Sequence, residues 1–199
     1  MTSPTRKATS ADVPRLAHVL ALAFFDDPGS RWFFPDQARR VGDLERWFQL
    51  ALDRLYLRHH ECYTTAQIAG GALWVPPGAE HLGTLEQLRL LPAAIALFGR
   101  RLPRVLRAVG GGSKRPKERH YYLPFMGVEP ASQGKGIGAA LLRPVLERCD
   151  QERVGAYLEA TTPRNRALYE RNDFEVIDET RLPDGPPLWL MWRDPATNP

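Results

Sequence analysis

Apolar residues recur along this chain in two rhythms. Val13, Leu16, Leu20 and Phe24 fall three or four apart, the spacing of one face of a helix. Thr9 and Asp12 precede them as a capping pair, and Pro14 is tolerated because it lies in the first turn. A second helical face runs through Val41, Leu44, Phe48, Leu52 and Leu55. Between the two, "FFDDPGSRWFFPD" (24–36) reads as a loop, since Asp-Asp-Pro-Gly is turn chemistry. Strand-like runs lie at residues 4–9, at "ECYTTA" (61–66) and at "IAGGALWVP" (68–76), the last two joined tightly near Gln67.

The later part of the chain is more regular. Residues 120–128 predict a strand in which Pro124 cannot donate to a ladder, so a bulge or an unpaired point is expected there. A helix over 135–150 turns Ile137, Leu141, Val145 and Cys149 inward and is expected to kink at Pro144. A strand (154–159), a helix (164–172) and two strands (173–178 and 187–193) follow. Strands alternating with helices predict a mixed α/β (α+β) domain with helices flanking one sheet. Residues 83–109 stand apart: Leu and Arg alternate at helical intervals, and Pro92 and Pro103 are expected to divide the stretch into short helices. That segment reads either as a helical insertion packed on the core or as a lid over a substrate pocket. "GGGSKRPKE" (110–118) reads as a flexible basic connector.

Composition narrows the classes. The 199 residues suit one domain, 43% hydrophobic and 25% charged, with a net charge of +4. The arginines are scattered rather than striped with aromatics, so no nucleic-acid partner is expected and an anionic ligand fits as well. The longest nearly pure apolar run, LLPAAIALF, falls far short of the roughly 20 residues of a membrane span. The opening MTSPTRKATSAD lacks the apolar centre of a signal peptide. Cys62 and Cys149 are far apart with no CxxC, which fits a reducing, cytoplasmic setting. The histidines show no ligand spacing, so no metal is expected.

"QGKGIG" (133–138) carries the chemistry. Alternating glycines are costly in backbone entropy. Anion binding at the start of a helix would repay that, because its first amides lack partners and glycines let a ligand approach them. A ligand-free strand-to-helix turn is the bland alternative. Dinucleotide binding is the serious one: Gly134, Gly136 and Ala139 satisfy G-x-G-x-x-A, and Glu159 follows at about the distance of a ribose-binding acid. Position argues against that alternative, since the motif lies two thirds along the chain with little room for further βα units.

The wider pattern V-x-P-x-x-Q-G-x-G-x-G, a helix, a strand and then "PRNRALYERNDF" resembles the GNAT family of acetyl-CoA-dependent N-acyltransferases, and within it the puromycin N-acetyltransferase group. The likeness runs from about residue 115 to 193, is looser over the first 60 residues, and is weakest over 83–114. Asp173 stands where that family usually has glycine, and is expected to take a left-handed conformation.

The resemblance implies a GNAT fold: a mixed sheet of six to seven strands with a V-shaped splay, flanked by helices. It implies acetyl-CoA (coenzyme A), with Gln133, Gly134, Lys135, Gly136, Ile137, Gly138 and Ala139 around the diphosphate. Met126, Gly127 and Val128 would lie beside the pantetheine arm, and Asn165 and Tyr169 would touch the cofactor. Tyr169 would be the general acid for the leaving sulfur, a phenol being protonated at neutral pH; the alternative is a buried helix tyrosine. Glu159 is the candidate base or substrate anchor, or an ordinary solvated carboxylate. Phe25, Trp32 and Tyr121 are candidate acceptor walls, and each could equally be core or rim. Asp26 and Asp27 could attract a cation. The expected partner is a small-molecule amine, an antibiotic-like amine among the candidates, for a monomer or homodimer. A protein amine as acceptor and a non-catalytic acyl-CoA-binding module stay open.

Overall fold

The computed structural model describes residues 4–79, 83–110 and 116–196. Most of the predicted basic connector, residues 111–115, lies outside the described residues. Seven strands, β1 (Thr5–Lys7), β2 (Cys62–Thr65), β3 (Gly70–Val75), β4 (His120–Val128), β5 (Gly155–Ala160), β6 (Glu175–Arg181) and β7 (Pro187–Arg193), form one sheet. Their order is β1-β2-β3-β4-β5-β7-β6. Only β4 and β5 run parallel, as the crossover through helix α6 (Ile137–Glu152) requires.

Helices cover both faces. On one, α6 and α7 (Pro163–Glu170) pack Leu141, Val145, Cys149 and Tyr169 onto Ala72, Trp74, Leu123 and Leu158. On the other, α1 (Val13–Phe24) and α3 (Arg40–Ala51) pack Leu16, Leu20, Leu44 and Phe48 onto Cys62 and Leu73. Each fully buried Leu or Phe contributes about 1.5–3 kcal/mol of transfer free energy. The approach of α1 to β4 needs Gly127, where a Cβ would stand 2.8 Å from that of Ala23. The expected capping pair forms on a 3-10 turn (Ser10–Asp12) that leads into α1: Asp12 accepts from the Thr9 amide at 2.8 Å and pairs bidentately with Arg6 at 2.7 Å.

Three expectations need correction. The presumed loop 24–36 contains a short helix, α2 (Pro28–Phe33), capped by Asp27, whose carboxylate accepts from the Ser30 amide at 3.0 Å. Asp-Pro is turn chemistry, but it is also an N-cap followed by the proline-tolerant first helical position, and the second use prevails here. Pro92 does not divide the insertion: α4 (Thr84–Phe98) runs through it. The proline and the Leu88 turn facing it are exposed, so water can serve the carbonyl that loses its partner. The break comes at Gly99, with φ 51° and ψ −127°, and Pro103 sits inside the first turn of α5 (Leu102–Gly110). α6 runs on through Pro144.

Pro124 does what its chemistry suggested. β4 pairs with β5 only from His120 to Leu123. The register with β3 slips by one residue at the same place, from Tyr122↔Val75 to Phe125↔Leu73, which is a β-bulge. Side-chain alternation changes phase with it. Before the proline, Tyr121 and Leu123 face α6; after it, Met126 and Val128 do, while Phe125 faces α1. β5 meanwhile continues to Ala160 beside β7. The two central strands therefore part, and the gap between them is the functional landmark of the fold.

Candidate active site

The three motif glycines do different work. Gly134 and Gly136 have φ of 76° and 75°, the left-handed region that other residues adopt at a cost. A Cβ at Gly134 would meet nothing within 4 Å, so that backbone faces open space. Gly138 is a packing glycine, since a Cβ there would stand 3.1 Å from Leu168 of α7. The first intrahelical bond of α6 runs from the Ala140 amide to the Gly136 carbonyl at 3.1 Å. The amides of Ile137, Gly138 and Ala139 precede it and have no carbonyl one turn back to bond.

Gln133 donates its side-chain N–H to the Val128 carbonyl at 3.0 Å, which ties the glycine turn to the end of β4. Lys135 donates to the Ala131 carbonyl at 3.0 Å and is exposed at the rim. The Ile137 side chain is in the core, so only its backbone can face a ligand. The Met126 methyl lies 3.9 Å from the Cβ position of Gly138, which puts the freed length of β4, from Met126 through Gly127 to Val128, next to the α6 start. From there a cleft of about 400 Å³ extends past Ala139 and Arg143 to Asn172.

Tyr169 projects from α7 beneath the parted strands, its ring 5.9 Å from that of Phe174. Its hydroxyl has no hydrogen-bond partner among the described residues. Burial, and secondarily the charge of Asp27, push its phenol upward, so it is protonated at neutral pH. Asn165 lies one turn earlier, its amide bonded to the capping Thr162 hydroxyl at 3.1 Å. Asp173 has φ 64°; the left-handed residue ends the α7 turn and delays β6 to Glu175.

The predicted acceptor residues are not brought together. Tyr121 faces α6 and donates to Glu152 at 3.1 Å, part of a network with Arg148, Glu61 and Tyr63 on the far side from the acceptor face. The bulge explains this: the phase of β4 before Pro124 is opposite to its phase after it. The Trp32 indole donates to the Pro183 carbonyl at 3.0 Å and lies under the Arg104 guanidinium at 4.5 Å, so it is a post joining α2, α5 and the β6–β7 turn. Phe25 lies under Arg40 at 5.2 Å. Glu159 accepts from the Tyr157 hydroxyl at 3.1 Å. It shares the Tyr157 face of β5, whereas Ala160 shares the Tyr169 face.

Of the two aspartates at 26 and 27, only one acts on Tyr169. Asp26 is exposed and pairs with Arg31 at 2.7 Å, but Asp27 turns inward. Its carboxylate caps α2 and accepts from the Thr161 hydroxyl, which follows the last residue of β5. Burial pushes the Asp27 carboxyl upward against these hydrogen bonds. The sequence carried no such signal while 24–36 was read as a loop, because Asp27 is an N-cap only once α2 exists.

A mixed sheet opened at a bulge, with a glycine turn and an uncapped helix start at the opening, defines an acyltransferase architecture. The chain belongs to the acetyltransferase (GNAT) family, whose profile matches residues 21–174. It is similar over its full length to a Corynebacterium glutamicum protein described as histone acetyltransferase HPA2 and related acetyltransferase, at 27% identity and TM-score 0.78, with 99% of that chain covered. It shares its fold with an N-acetyltransferase from Staphylococcus aureus, at 18% identity and TM-score 0.61 over 94% and 98% of the two chains. An uncharacterized N-acetyltransferase from Schizosaccharomyces pombe is 37% identical over 87 residues, which cover 42% of this chain and 35% of that protein.

Proposed function

We propose that this chain transfers the acetyl group of acetyl-CoA to a primary amine of a small molecule by direct attack, with both substrates bound together. The observation that carries the reading is the meeting of the freed β4 edge with the open start of α6. Together they offer an extended backbone for an amide-bearing arm and unpaired amides for a diphosphate, the two halves of a coenzyme A site.

Acetyl-CoA supplies an activated acyl carbonyl on sulfur. The amides of Ile137, Gly138 and Ala139 hold the diphosphate, with Lys135 adding charge at the rim. Gln133 keeps Met126–Val128 extended by holding the end of β4. Arg143, exposed along the adjoining cleft, suits the remaining phosphate. Asn165 holds the arm near Tyr169, and Tyr169 delivers a proton to the departing sulfur. Glu159, Phe25 and Trp32 border the acceptor side, Trp32 by positioning α2. A small amine is favoured by the uncompensated Asp27 carboxylate on the acceptor side, and structural neighbours include an agmatine N-acetyltransferase and a Drosophila melanogaster polyamine N-acetyltransferase, both related by fold alone.

Calorimetry with acetyl-CoA followed by thiol-release assays tests the reading. Binding with release of thiol on adding small primary amines is expected. Binding without turnover on any amine, peptide amines included, would leave a binding module. Turnover confined to peptide or histone amines would favour a protein acceptor.

A further inference from the structure

Asp27 is a carboxylate without a cation. Three groups bond it, the Ser30 and Gly29 amides of α2 and the Thr161 hydroxyl at the end of β5, and its charge reaches the Tyr169 phenol of α7. Asp26, beside it in the chain, is turned outward to Arg31, and no cation pairs with Asp27 among the described residues. A half-buried acid placed this way would gain by receiving a positive charge. Arg40 fixes the loop that carries it, donating to the carbonyls of Phe25, Phe34 and Pro35. Glu159 accepts from the Tyr157 hydroxyl.

Resting on the acetyl-transfer reading above, we propose that Asp27, rather than Glu159, takes the proton of the incoming ammonium, and that discharging Asp27 readies Tyr169 to protonate the leaving sulfur. The acceptor class is then an alkyl amine that arrives positively charged. One ammonium proton passes to Asp27 and later to solvent. The nitrogen–carbon bond forms as the carbon–sulfur bond breaks, and the sulfur takes the Tyr169 proton. The second nitrogen proton restores the phenol. Nothing further is consumed. The charge of Asp27 opposes loss of the Tyr169 proton, so the acid becomes effective only after the amine has been deprotonated. Proton delivery to sulfur is thereby tied to the presence of a cationic acceptor.

Asp27→Asn keeps an N-cap oxygen and tests the idea. Turnover of alkyl amines such as agmatine should fall at least ~100-fold, while an arylamine already neutral at pH 7 should lose less than about threefold. An equal loss on both amines after Asp27→Asn would reduce Asp27 to a structural cap and overturn the proposal. A readout without turnover is ¹³C NMR of the Asp27 carboxyl. Its titration should lie above the ordinary aspartate range, and a midpoint within or below that range would also overturn the proposal. Acetyl-CoA affinity, measured on the same samples, separates the two readings. Intact affinity with either adverse result sinks this inference alone, whereas absent affinity in the unmodified protein sinks the acetyl-transfer reading.

Discussion

The two faces of the sheet are organised by different means. On the α6–α7 face, the proposed cofactor site is built from backbone: a bulge, two left-handed glycines and a helix start, all set by residues close together in sequence. On the α1–α3 face, the proposed acceptor side is built from side chains of distant segments. Asp27 meets Thr161, and Trp32 meets Arg104 and Pro183. The first arrangement can serve any ligand with the same diphosphate and amide arm. The second can change with each acceptor while the first stays put.

The sharpest way to break that division is Tyr169→Phe, because Tyr169 belongs to the α6–α7 face yet feels the charge of Asp27. Loss of the phenolic proton should lower turnover by 10²–10⁴-fold and leave acetyl-CoA affinity within about threefold, as read by steady-state kinetics beside calorimetry. Equal losses in both would mean that Tyr169 binds rather than reacts. A smaller effect is expected from Arg40→Ala. The guanidinium is buried and serves three carbonyls around α2. Removing it should cost about 3 kcal/mol of stability and raise the acceptor KM with little change in acetyl-CoA affinity. Denaturant melts and the two binding constants check this, and a fall in acetyl-CoA affinity would show that the faces are coupled.

This division also decides what was legible in the sequence. The α6–α7 side was readable because its determinants are local. Pro124 breaks a ladder wherever it stands in a strand, and Gly134 and Gly136 announce left-handed backbone regardless of what packs near them. The left-handed Asp173 was expected too, from the glycine that the resembled family usually carries there. The acceptor side was not readable because its determinants are contacts. Nothing in "FFDDPG" says which aspartate turns inward until α2 is seen docked over β5. Tyr121 and Tyr122 are neighbours in sequence on opposite faces, and which of them faces the acceptor depends on a one-residue slip. Pro92 misled for a related reason: a proline breaks a helix only if the carbonyl it orphans has nowhere to turn, and exposure decides that.

Gly134→Val tests the claim that the cofactor side works through backbone. The added side chain would enter open space, so the folding cost is confined to a left-handed β-branched residue, on the order of 1–3 kcal/mol. Acetyl-CoA affinity should nonetheless fall roughly tenfold or more, because the side chain points where the ligand must approach; a 1.4 kcal/mol loss of binding is already a factor of ten. Gly138→Val should do the reverse, pressing on Leu168 and lowering the melting temperature first. If the two variants behaved alike, the separate roles assigned to these glycines would be wrong.

The smallest expected effect concerns how α1 is held in place on the acceptor face. The Arg6 guanidinium, together with the Thr9 groups, holds the Asp12 carboxyl far below its ordinary range. Because the folded-state value is depressed, the stabilisation is fully present above the unfolded value near pH 4 and is lost as pH falls toward the folded one. Arg6 is largely exposed, so solvent screening limits the size of the effect. Asp12→Asn keeps one capping oxygen and removes the charge, and should cost about 1 kcal/mol near neutrality. Its melting temperature should depend less on pH between pH 4 and 2 than that of the parent. The α6–α7 face has its own acid-sensitive pair, Asp150 with Arg193, so a residual slope should survive in Asp12→Asn. A variant as steep as its parent would mean that the cap acts through geometry alone and that the charge on Asp12 contributes nothing to seating α1.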